Sequence, residues 1–153
     1  MKTRSIVLTL SLSLAALAIC SASPEMGTWK LNETKSKIAP GSAKNLTVVY
    51  AAAGDSVKVT VDGVDADGKP THNEWTGKFD GKDYPVTGDS TQDMRSYKKV
   101  DDHNLEMTVK KAGKVTMTGQ LVIAADGKTR TVTTTGTDAK GAKFTNTAVY
   151  DKQ

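Results

Sequence analysis

Apolar and polar residues alternate with a period of two along most of the chain after residue 23. Val57, Val59 and Val61 alternate with Ser, Lys and Thr, and segments 105–109 and 115–123 show the same pattern. Because successive side chains of a strand point to opposite faces, this pattern predicts strands with one apolar and one polar face. The sequence shows no sustained helical period in the same region.

Turn signals separate the predicted strands and leave about ten residues for each of them. Asp-Gly pairs at 67–68, 80–81 and 126–127 favour tight hairpins, because type I′ turns need positive φ at both central residues. Further turns are predicted at 54–55, 101–102, 112–113 and 140–141.

Consecutive hairpins form a meander, and a meander that closes on itself has no exposed strand edge. The sequence therefore predicts an all-β fold, an antiparallel up-and-down meander closed into a barrel of about 8–10 strands. Segment 23–153 forms this single domain, and the polar segment 32–43 is expected to be a loop or short helical turn after the first strand.

The first 22 residues have the features of a secretory signal peptide. Lys2 and Arg4 precede the apolar run Ile6–Ile19, and small residues follow it, so cleavage is expected after Ala22. The run is too short for a transmembrane helix. We therefore expect a secreted or periplasmic protein. A lipid anchor on Cys20 is the less favoured alternative, because the residue before such a cysteine is normally small.

Charge and cysteine content exclude several classes of protein. Cys20 is the only cysteine, so the domain that remains after cleavage has no disulfide and no thiolate metal site. Loss of Lys2 and Arg4 leaves a formal charge of +2 from the +4 of the whole chain, which does not indicate a nucleic-acid partner. No transmembrane segment is expected after cleavage, and lysine-rich strand faces disfavour a barrel in lipid. The oligomeric state stays open.

Two short motifs resemble the calycin group, which comprises lipocalins and fatty-acid-binding proteins. Gly27-Thr28-Trp29-Lys30-Leu31 is similar to the Gly-x-Trp opening of both families, and segment 148–152 is similar to the last strand of fatty-acid-binding proteins. Segments 80–86 and 126–128 look like exported bacterial lipocalin-like proteins. The resemblance implies a barrel that binds a small, mostly apolar ligand in its interior.

This chain also departs from both families. In lipocalins a basic residue of the final strand stacks on the opening Trp, but the final strand here has no arginine. In fatty-acid-binding proteins an Arg-x-Tyr pair near the end grips the ligand carboxylate, and Ala148 stands at that arginine position before Tyr150. The helical pair that covers those barrels has no counterpart of sufficient length. Fatty-acid binding is therefore not carried over unchanged.

Arg95 and Arg130 are the main candidates for a ligand contact. Arg95 shares a strand face with Tyr97, and an inward arginine would need a carboxylate, water or an anionic ligand as partner. One interpretation is that Arg95, Tyr97 and Arg130 hold an acidic head group through paired hydrogen bonds. The alternative, which the sequence favours, places both arginines near strand ends with their guanidinium groups in water.

The aromatic residues are expected to point inward, where they line a cavity or fill a core. Trp29 is expected to plug one barrel end. The remaining candidates for the ligand site are Trp75, Phe79, Tyr50 and Tyr150, and Phe144 is predicted to face inward with them.

No motif indicates catalysis, a metal or a cofactor. His72 and Glu74 lie two residues apart on one face, but that face also carries Lys78 and is expected to be exposed. Asp62, Asp65 and Asp67 lack the spacing of a calcium loop. We expect a binding protein rather than an enzyme. Two alternatives stay open: a cell-envelope interaction module with a filled core, and a small barrel enzyme whose site assembles from distant residues.

Overall fold

The structure of this protein is a computed structural model that describes residues 23–137 and 141–153. The predicted signal peptide at 1–22, including Cys20, lies outside the described residues, as does Lys140 of the predicted turn at 140–141.

Ten strands and one short 3₁₀ helix make up the described chain. The elements are β1 (Gly27–Leu31), the 3₁₀ helix Glu33–Lys35, β2 (Lys44–Ala53), β3 (Ser56–Val64), β4 (Pro70–Gly77), β5 (Tyr84–Thr87), β6 (Met94–Lys99), β7 (Asn104–Lys111), β8 (Lys114–Ile123), β9 (Thr129–Thr137) and β10 (Lys143–Lys152). The predicted helical turn after the first strand is confirmed. Asn32 caps it, since its side chain accepts from the Lys35 N–H.

Each strand pairs antiparallel with the strand next to it in sequence, and β1 closes the barrel by pairing with β10. Trp29 lies opposite Lys152 and Leu31 lies opposite Tyr150 across this closure. The predicted all-β meander, closed into a barrel, is confirmed. Closure satisfies the backbone groups that an open sheet would leave at its edges.

The inner face follows the alternation seen in the sequence. Val59 and Val61 of β3 are buried, as are Leu105, Met107 and Val109 of β7, whereas their neighbours in the chain are more exposed. Burial of each such side chain stabilises the fold by about 1.5–3 kcal/mol. Within the described residues, no helix is long and apolar enough to cross a membrane.

Strand pairing in the barrel is shortest at β5. This strand has four residues and is paired through two positions with β4 and through two with β6. Pro85 limits it, because proline has no N–H for the ladder. The chain then leaves the sheet as the loop 88–93, which begins at Gly88 with a φ of +84°.

Two inward-facing glycines allow aromatic rings to lie directly against the backbone. A Cβ at Gly77 would stand 2.5 Å from Cγ of Tyr84, and one at Gly136 would stand 2.8 Å from Cζ of Phe144. Both distances are too short for a real side chain, so the rings occupy the volume that a larger residue would need. The interior is filled at these positions by rings from neighbouring strands.

Candidate functional site

Four aromatic rings form the centre of the interior. Trp75 and Tyr97 meet edge to face with ring centroids 4.9 Å apart, and Phe79 stacks on Trp75 at 6.3 Å. Tyr50 completes the group, 6.4 Å from both Phe79 and Tyr97. These are the separations at which aromatic pairs attract. We call Tyr50, Trp75, Phe79 and Tyr97 the aromatic cluster.

Arg130 lies beside this cluster and contacts three aromatic rings, one of which, Tyr50, belongs to the cluster. Its guanidinium carbon is 5.0 Å from the ring centroid of Trp29, 5.1 Å from that of Tyr50 and 4.7 Å from that of Tyr150. The side chain is 1% exposed. The prediction that the guanidinium groups reach water is therefore wrong for this residue: it is the second residue of β9, but three rings cover its guanidinium.

The polar atoms of Arg130 are only partly satisfied. Its Nε and Nη1 are buried and have no hydrogen-bond partner among the described residues. None of the ion pairs of the described chain includes this arginine. The ring faces supply cation–π attraction but accept no conventional hydrogen bond, so these two nitrogens are left without an acceptor.

Arg95 is equally inward but has partners. It is 5% exposed, so the prediction of a solvated guanidinium is wrong here too. Its Nε and Nη2 donate to Oε1 of Gln92 at 3.1 and 2.8 Å, and Nη2 also donates to Oδ1 of Asn73 at 3.0 Å. Both partners are neutral amides. Its backbone carbonyl accepts from the indole N–H of Trp75 at 2.8 Å, which ties the arginine to the aromatic cluster.

Trp29 is fully buried, in agreement with its predicted role at a barrel end. Its indole N–H donates to the Glu25 carbonyl at 2.8 Å, so the segment before β1 covers it. Lys152 of the final strand places Nζ 5.1 Å from the ring centroid and donates to the Pro24 carbonyl at 2.9 Å. The final strand therefore lacks an arginine but does bring a basic residue onto the opening Trp, and Arg130 of β9 contacts the same ring.

Burial keeps the tyrosines beside Arg130 protonated. It raises the pKa of Tyr150 to about 12, against the opposing effect of the Arg130 charge. Burial, reinforced by the nearby Tyr97, also raises the pKa of Tyr50 far above its ordinary value. The Tyr150 hydroxyl donates to the Asn45 carbonyl at 3.1 Å. Neither phenol is therefore an anionic partner for Arg130 at neutral pH.

The best-formed concavities of the described chain lie away from these residues. One is an open groove of about 380 Å³ on the outer face of β7, β8 and β9. It is lined by Glu106, Met107, Thr108, Thr118, Gly119, Gln120, Thr133 and Thr135. A second hollow of about 100 Å³ lies near the 3₁₀ helix. Neither hollow is lined by a residue of the aromatic cluster.

The structure brings together all seven residues predicted for the ligand site. Six of them are buried and Phe79 is partly buried. Sequence reasoning missed three neighbours: Tyr84, whose ring meets Trp75 at 5.7 Å, and the two amides Asn73 and Gln92. Asn73 could have been found, because it lies two residues before Trp75 and so shares its face. Gln92 lies in a loop, where no period applies.

His72 and Glu74 lie on the outer face, as expected. His72 Nδ1 is 2.7 Å from Oδ1 of Asp62, and Glu74 is 2.7 Å from Nζ of Lys58. Among the described residues, no group of three or more His, Cys, Asp or Glu side chains is arranged to hold a metal. These residues form ion pairs at the surface.

No protein-family model matches this chain, and no curated protein is significantly similar to it. A solved structure described as "Structure of EF1p2_mFAP2b bound to DFHBI" is similar to this chain, with a TM-score of 0.48 and 12% sequence identity. The alignment covers 85% of this chain and 94% of that one.

Proposed function

We propose that the barrel binds a small, mostly apolar molecule with an acidic group in its interior, and that Arg130 is the contact for that group. One observation carries the proposal: a guanidinium that is 1% exposed has two N–H-bearing nitrogens without an acceptor. A buried cation in this state is costly, by several kcal/mol before cation–π attraction offsets part of it. A carboxylate at the guanidinium would supply the missing charge and an acceptor for Nε or for Nη1, according to the edge that it pairs with.

The aromatic cluster is the proposed contact for the apolar part of the ligand. Tyr50 links the two regions, since its ring contacts Arg130 and also meets Phe79 and Tyr97. Because the rings pack on one another, a ligand must separate them to bind. The short pairing of β5 is the proposed place where the wall yields, as it has two paired positions on each side.

Titration with cis-parinaric acid and with its methyl ester tests the proposal. Both probes carry the same fluorescent chain, and only the acid has a charge for Arg130. We expect the acid to bind more tightly than the ester, by about tenfold or more, which corresponds to about 1.4 kcal/mol. In Arg130→Met this preference should vanish. Equal affinity of the wild-type protein for acid and ester would contradict the proposal.

A matched control is available two residues away. Lys128 is exposed in the turn before β9 and carries the same charge as Arg130, so Lys128→Met removes one positive charge without touching the interior. It should leave the preference for the acid unchanged. Arg130→Lys separates charge from geometry, because lysine keeps the cation but loses the planar fork. Circular dichroism of each variant verifies that the barrel is folded.

A filled-core interaction module is the second candidate function. It is favoured by the contacts within the aromatic cluster and by the position of the larger groove on the outer face. Native mass spectrometry of the protein from a host that exports it separates the two candidates. A co-purified small molecule supports the first, and its repeated absence under gentle conditions supports the second.

We further propose that the protein binds its ligand without converting it, and that it does so outside the cytoplasm. The support for this location is the basic start and apolar run of residues 1–22, which resemble a secretory signal. Cell fractionation and the mass of the purified chain test it: a product that begins at Ser23 supports cleavage after Ala22. A lipid-modified Cys20 would instead indicate membrane anchoring.

A further inference from the structure

Gln92 is buried although most of its loop is exposed. In the loop 88–93, Gly88, Ser90 and Thr91 are exposed, whereas the Gln92 residue is 8% exposed. Its side chain is directed to Arg95 of β6. Burying a glutamine side chain removes its amide from water, which is costly unless the amide is fully hydrogen-bonded. The contacts that Gln92 makes therefore define its role.

The Gln92 oxygen sits where a carboxylate oxygen would bind Arg95. Oε1 of Gln92 accepts from Nε and Nη2 of the guanidinium, at 3.1 and 2.8 Å. A carboxylate on the same edge would place one oxygen opposite each nitrogen, and both bonds would be charge-assisted. The neutral amide offers a single oxygen to the two donors. Arg95 is thus held by a weaker partner than the one its geometry fits best.

The remaining amide atoms of Gln92 connect this contact to the loop. Nε2 donates to Oδ2 of Asp89 at 2.5 Å, and Oδ1 of Asp89 accepts from the backbone N–H and the hydroxyl of Thr91. Asp89 therefore fixes which end of the amide faces Arg95, because its carboxylate accepts only from the NH₂ group. Withdrawal of Gln92 from Arg95 would pull on the loop through the same contacts.

We infer that Gln92 occupies a second anion position at Arg95 in the ligand-free barrel and thereby sets which ligands bind. A ligand whose acidic group reaches Arg95 must displace the amide, and the loop 88–93 moves outward when it does. Asn73 stays on the barrel wall and keeps its bond to Nη2 of Arg95. This inference rests on the proposed interior binding of acidic ligands but adds a residue that competes with them.

Two substitutions of Gln92 test the inference in opposite directions. Both are made in Arg130→Met, so that Arg95 is the interior arginine left to the acid. There Gln92→Ala removes the competitor and should tighten cis-parinaric acid binding by about tenfold, with little change for the methyl ester. Gln92→Glu replaces the amide by a carboxylate that pairs permanently with Arg95, and should weaken binding of the acid. If Gln92 only supports the fold, both substitutions weaken binding of acid and ester alike, and that result overturns the inference.

Hydrogen exchange gives a second readout. In Arg130→Met the acid should speed amide exchange in segment 88–93, whereas the ester should not. Ser90→Ala, in the same loop but exposed, is the control and should bind as the wild type does. If the wild-type protein binds neither probe, the proposed function itself fails. If it prefers the acid through Arg130 and the Gln92 variants behave alike, the present inference alone is wrong.

Discussion

The two buried arginines of this barrel are stabilised in different ways. Arg95 is surrounded by amide oxygens from Gln92 and Asn73, and Arg130 by the ring faces of Trp29, Tyr50 and Tyr150. Neither forms an ion pair with a carboxylate of the described chain. Amides satisfy donors without charge, whereas rings offer electrostatic attraction without acceptors. Arg95 is thus close to saturated and Arg130 is not.

The largest expected effect concerns the ring environment. Trp29→Ala should destabilise the protein by about 3–5 kcal/mol, because it removes a fully buried indole and one of the faces that cover Arg130. Urea unfolding measures the loss. Lys30→Ala, at the exposed neighbouring position, should change stability by less than about 0.5 kcal/mol. Similar values for the two variants would show that the rings do not stabilise this end of the barrel.

High pH probes the same region through Tyr150. Its pKa is about 12 in the folded protein, above the ordinary value of 10.0, so the folded state holds the proton more tightly than the unfolded state. The contribution of Tyr150 to stability should therefore be constant below about pH 10 and be lost between about pH 10 and 12, by about 2–3 kcal/mol. Tyr50, whose pKa is also raised by burial, adds its own loss above about pH 10, so Tyr150→Phe should reduce the slope in this range without removing it. An unchanged slope in that variant would assign the loss to other groups.

Sequence reasoning reached the fold because closure follows from local signals. The alternation around Val57, Val59 and Val61 and the Asp-Gly turns define strands and hairpins without knowledge of distant contacts. The strand β5 was not predicted, since segment 84–93 contains a proline, a glutamine and two aspartates rather than a clear alternation. Its four residues form a strand because they pair with neighbouring strands, and their own sequence pattern does not predict one.

The inward orientation of the candidate residues was predicted, but their surroundings were not. The period-two alternation correctly placed Arg95 and Tyr97 on one face of their strand. Whether a residue on that face is buried depends on how far the strand extends beyond the barrel wall, and the sequence of one strand does not show this. Both arginines were expected in water for this reason. The amide of Gln92 could not be foreseen, because it reaches Arg95 from a loop whose path is set by tertiary contacts.

Replacing each buried arginine by methionine should have a smaller effect on stability, and the loss should be greater for Arg95 than for Arg130. Arg95→Met should cost about 1–3 kcal/mol, because it leaves the buried amides of Gln92 and Asn73 without their donor. Arg130→Met should stay within about 1 kcal/mol of the wild type or exceed it, since the unsatisfied guanidinium is removed and methionine packs well against rings. Urea unfolding of both variants decides the matter. A larger loss for Arg130→Met would mean that the rings alone satisfy it.

The smallest effect is expected where charged groups do have carboxylate partners, on the outer face. Nδ1–H of His72 donates to Oδ1 of Asp62 at 2.7 Å, and this hydrogen bond raises the pKa of His72 above 6.5. The stabilisation is present below about pH 6.5 and is lost as the pH rises through the raised value, but solvent screening keeps it small. Asp62→Asn should lower the pKa of His72 in an NMR titration and leave the urea midpoint nearly unchanged. The ion pairs of the described chain join lysines or His72 to acidic residues, and none joins an arginine. We infer that the buried arginines affect stability more than these surface pairs do. A large shift of the urea midpoint in Asp62→Asn would contradict that view.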